Sequence, residues 1–68
     1  MGRLYEAASQ IDAIIEKRGL DPFKTKGMIS MRTGFLLSFI DPDDPDDDER
    51  LEQLKEVVLE VLGEHLSV

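Results

Sequence analysis

All three prolines of this 68-residue chain follow an aspartate, at Asp21-Pro22, Asp41-Pro42 and Asp44-Pro45. Those pairs cut the chain into three segments and limit what each can become. A residue before proline is steered away from helical angles, so a helix cannot run through such a pair. A helix can begin there. Aspartate accepts amide hydrogen bonds at the cap, and proline in the first helical position gives up an amide that had no partner anyway. Asp21-Pro22 therefore opens an element, Asp41-Pro42 closes it, and Asp44-Pro45 repeats the opening signal.

The first segment carries Leu4, Ala7, Ala8, Ile11, Ile14 and Ile15 at three- and four-residue spacing. That spacing makes one apolar stripe of an amphipathic helix, read over about 4–18. Lys17 and Arg18 suit the carboxyl end of the helix dipole. Gly19 can take the left-handed conformation that closes the helix, with Leu20 folding back onto the last turn. The third segment shows the same logic. Asp46, Asp47, Asp48 and Glu49 lie where a helix N-terminus favours negative charge. Leu51, Leu54, Val58, Val61 and Leu62 then form a stripe widened by Val57 and Leu59, and the helix is read over about 45–63, stopping near Gly63.

The middle segment is ambiguous. As a helix over about 22–40, it places Phe23, Gly27, Met31, Gly34, Phe35 and Phe39 on one broad face, flanked by Met28, Leu36 and Ile40. Gly27 and Gly34, seven apart, would permit close backbone approach there. As strands, Met28–Met31 and Phe35–Ile40 would flank Arg32-Thr33-Gly34, a plausible three-residue hairpin loop. Two-stranded ribbons standing alone are marginal, which favours the helix. A hairpin, or a break at Gly34, stays as the competing reading. The fold class that follows is all-α, a single small domain built as an up-down-up three-helix bundle.

So short a chain has a small core, and usually needs disulfides, a metal, association or very regular helix packing. It has no cysteine and one histidine, His65. Disulfides, thiolate sites and nitrogen-rich metal sites are therefore not expected. The longest apolar run, Phe35–Ile40, is interrupted by Ser38 and falls far below the roughly 20 residues that span a bilayer. Residues Met1–Ala8 lack a basic start followed by an apolar run, so a cytoplasmic protein without membrane insertion is expected.

Charge is divided unevenly. Residues 1–40 hold six lysines and arginines against four carboxylates, a balance of +2; residues 41–68 hold two against eleven, a balance of −9, which together give the net −7. That excess opposes the phosphate-driven attraction of nucleic-acid binding and favours basic partners. The aspartate run could offer oxygens to calcium, with Asp41, Asp43 and Glu52 at loop positions one, three and twelve. Pro45 and Asp46 then occupy positions five and six, where the loop needs a ligand and a glycine, so no metal site is assigned. A solvated cap and turn is the plainer reading.

Nucleophilic catalysis needs a base beside the nucleophile, and His65 is remote in sequence from Ser30, Thr33 and Ser38. Neither catalysis nor a cofactor is expected. Lys24, Lys26 and Arg32 form the basic cluster, whose cations could face the Asp43–Glu49 run, within the fold or on a neighbouring copy. They also support an alternative, a small nucleic-acid-binding regulator. The leading expectation is a non-catalytic protein–protein interaction module that self-associates or serves as a small subunit of a larger assembly. It rests on the apolar surplus of the middle segment, where Met28, Met31, Phe35, Leu36, Phe39 and Ile40 are the candidate partner-binding residues.

Overall fold

The computed structural model describes residues 2–34, 40, 43–44 and 46–68. It contains α1 (Arg3–Arg18), α2 (Pro22–Thr33) and α3 (Asp48–Leu62), each packed against the other two, with no strand among the described residues. The chain is all-helical and forms a small three-helix bundle.

The two stripes read from sequence become the core. α1 buries Leu4, Ala7, Ile11 and Ile15, and α3 buries Leu51, Leu54, Val57, Val58 and Leu62. Ala8, Ile14, Leu20, Ile40, Val61, Leu66 and Val68 pack around them, partly buried. At about 25 cal/mol per Å² of apolar area removed from water, a core this small supports only a modest stability.

α1 and α3 run parallel, as an up-down-up course requires. Arg3 at the start of α1 meets Asp48 at the start of α3, and Arg18 at the end of α1 meets Leu62 at the end of α3. α2 lies against both, with its Lys26 beside Asp12 of α1. Its last-turn Arg32 reaches Glu60 near the end of α3 rather than the start.

Each helix ends at a glycine in the left-handed region. At Gly19 the closure is double. The Leu20 amide donates to the Ile15 carbonyl (3.0 Å) and the Gly19 amide to Glu16 (3.2 Å), while Leu20 packs onto the core as expected. Gly34 corrects the sequence reading. The helix expected over 22–40 stops at Thr33, because Gly34 turns to φ 79° and its amide donates to the Ser30 carbonyl (2.9 Å). The break at Gly34 is thus the competing reading that the structure takes. The hairpin fails on its first strand, since Met28–Met31 is helical. Its second strand lies almost wholly at 35–39, outside the described residues.

The start of α3 is a second correction. The expected cap was Asp44, but the helix begins at Asp48, and the Asp47 carboxylate accepts the Arg50 amide (3.1 Å). The end agrees with expectation: α3 stops at Leu62, with Gly63 at φ 68°.

A candidate contact face on the second helix

The acidic lead-in to α3 is built into the fold. The residue at the cap of α1 is Gly2, which has no side chain to cap the helix. Asp46 takes that role from across the chain: its Oδ1 accepts the Arg3 amide (2.8 Å), while Asp48 Oδ1 accepts Arg3 Nη1 (2.6 Å). The positive ends of two parallel helix dipoles lie together here, and carboxylates are favoured at that place. The sequence reading let Lys24, Lys26 and Arg32 face this run within the fold or on a neighbouring copy. Within the fold, Arg3 faces it instead. Lys26 pairs with Asp12 on α1 (2.6 Å) and Arg32 with Glu60 on α3 (3.6 Å).

Those two pairs fix the orientation of α2. Its Lys26 side borders α1, its Arg32 side borders α3, and Thr25 and Ile29 point inward and are buried. At 100° per residue, Phe23, Gly27 and Met31 then lie on the side directly opposite the core. Their exposure agrees: Phe23 is 88% and Met31 86% accessible. Met28, at 48%, and the exposed Lys24 flank them on the α3 side. The three cations of α2 therefore point in three directions around the helix. Lys24 has no ion-pair partner among the described residues.

The candidate partner-binding residues consequently separate. Met28 and Met31 lie on the outer face of α2. Ile40 does not join them: it is partly buried against the core, and its carbonyl accepts a long hydrogen bond from the Tyr5 hydroxyl (3.4 Å). Phe35, Leu36 and Phe39 lie outside the described residues. Phe23 is the residue that the candidate set missed. Its four-residue spacing to Gly27 and Met31 was legible, but spacing alone does not say which side of a helix meets the core.

The other polar groups have structural roles. Arg18 Nη1 donates to the Leu62 carbonyl (2.6 Å), and Gln10 Oε1 accepts the Ser67 amide (2.8 Å), tying down the tail after α3. His65 is exposed on that tail. Among the described residues, no three side chains of the metal-ligating types converge, and no helix is long and apolar enough to cross a membrane.

Comparison of the chain with protein-family models, with curated proteins and with solved structures finds no match.

Proposed function

We propose that this protein is a non-catalytic interaction module whose contact surface is the outer face of α2. One observation carries the reading. Among the described residues, the two most exposed large apolar side chains, Phe23 and Met31, stand two helical turns apart on the face directly opposite the core, with Gly27 between them. Scattered exposed apolar residues are ordinary, but here they are aligned and accompanied by Met28. Aromatic residues and methionine are also the types enriched at protein contacts. Burying Phe23 alone would remove roughly 150–250 Å² from water.

The remaining polar chemistry supports a role by contact. The carboxylates of Asp46, Asp47 and Asp48 serve helix ends, and Asp12, Glu52 and Glu60 sit in ion pairs. A cytoplasmic setting belongs to the same proposal.

The test is photo-crosslinking in cells that express the chain. A photoreactive phenylalanine analogue replaces Phe23, and the same analogue at the exposed Gln53 of α3 serves as control. A discrete adduct at position 23, with a second copy or with another protein, and none at Gln53 is the expected result. Equal or absent crosslinking at the two positions sinks the reading.

A further inference from the structure

Resting on that reading of α2, we infer that the occupant of this face is a second copy of the same chain, its α2 antiparallel to the first across a two-fold axis at Gly27. The face has the symmetry such a contact needs. Phe23 and Met31 lie four residues to either side of Gly27, so each is about 6 Å from it along the helix axis. A two-fold axis perpendicular to the helices exchanges the two ends. Each Phe23 then meets the Met31 of the other copy, twice over, as an isologous contact requires. Thioether and aromatic ring attract one another, which favours this contact.

The centre of the face is open. A Cβ placed on Gly27 would meet no heavy atom within 4 Å, so nothing among the described residues requires glycine at this helical position. Glycine is a poor helix residue there, and its absent side chain lets a second backbone come close.

Charge matches in the same arrangement. α2 bears Lys24, Lys26 and Arg32 and no carboxylate within Pro22–Thr33. Lys26 and Arg32 are neutralised at the two borders, leaving Lys24. A perpendicular two-fold keeps the α3 border of one copy on the α3 border of the other while reversing direction. Lys24 of one copy therefore comes level with the Arg32–Glu60 pair of its mate. Glu60 is well exposed and holds Arg32 only at 3.6 Å, so it can accept the second cation. The area on offer, about 400 Å² per copy from Phe23, Met28 and Met31, falls below the roughly 800 Å² per partner of standard interfaces. The dimer is accordingly weak and dependent on concentration.

Sedimentation velocity of the full chain, from about 10 µM to about 1 mM, reads this directly, since weak contacts populate only toward the upper end. The expected result is a mean mass rising from one chain toward two. Gly27→Gln fills the centre of the face with a good helix former; it is expected to raise the melting temperature and to weaken association at least about tenfold. Lys24→Glu should weaken it roughly two- to fivefold, and adding Glu60→Lys should restore it. A wild-type chain that stays monomeric throughout overturns the inference, as does association that Gly27→Gln leaves unchanged. If position 23 crosslinks to a different protein while the chain is monomeric, the contact-face reading stands and the second-copy inference falls.

Discussion

The guanidinium of Arg18, in the last turn of α1, donates to the carbonyl of Leu62, the last residue of α3, at 2.6 Å. One helix thereby caps the other. The parallel course of α1 and α3 brings two negative dipole ends together, and a cation placed between them relieves both. The same parallelism joins the two positive ends, where Asp46 and Asp48 hold Arg3. Arg18→Met should therefore lower stability by about 1 kcal/mol, with a fall in melting temperature of about 4–8 °C for a domain this small. Lys17→Met, next to it, should change stability by less than about 0.5 kcal/mol. Urea unfolding of the two variants separates them, and equal losses would show that the Arg18–Leu62 bond adds nothing.

Ile29 is the one apolar side chain of α2 that is fully buried. Ile29→Ala should cost about 2–4 kcal/mol, a large part of what so small a domain has. Phe23→Ala and Met31→Ala should each stay within about 0.5 kcal/mol, because neither vacates a packed site. A Phe23→Ala loss comparable to that of Ile29→Ala in thermal unfolding would contradict the orientation of α2.

Two glycines answer the same substitution with opposite signs. Neither Gly27 nor Gly34 has a heavy atom within 4 Å of an added Cβ, so packing does not enter. Gly27 is inside the helix, and Gly27→Ala should stabilise by roughly 0.5–1 kcal/mol. Gly34 stands at φ 79°, where a side chain is strained, and Gly34→Ala should destabilise by about 1–2 kcal/mol. Melting temperatures moving in one direction for both would contradict the helix end at Thr33.

The start of α3 can be located by a pair of caps. Asp47→Ala should cost about 1 kcal/mol, because the Arg50 amide loses its acceptor. Asp44→Ala, at an exposed position before the helix, should cost less than about 0.5 kcal/mol. Chemical denaturation giving the larger loss at Asp44 would move the helix start to where the sequence alone suggested it.

The reading of α1 and α3 from sequence was close because each carries its whole signal locally. Apolar residues recur at three and four positions, charges complement the dipole at each end, and a glycine follows the last turn. Their observed starts and ends differ from expectation by only a few residues. α2 was harder because its apolar residues surround it. Phe23, Met28 and Met31 outweigh Ile29 and Thr25 in any count of hydrophobicity, yet the latter two are the buried ones.

What the sequence by itself determined is therefore the number of helices, their order, and the buried stripes of the first and third. These follow from periodicity and capping, which act within a few residues. The tertiary structure alone decided which side of α2 meets the core, because two ready-made stripes leave space for a narrow inward face and Ile29 with Thr25 fills it. It also decided what the acidic lead-in does. Asp46 and Asp48 serve α1 only because α1 and α3 lie side by side and parallel, and no local pattern encodes a partner 43 or 45 residues away.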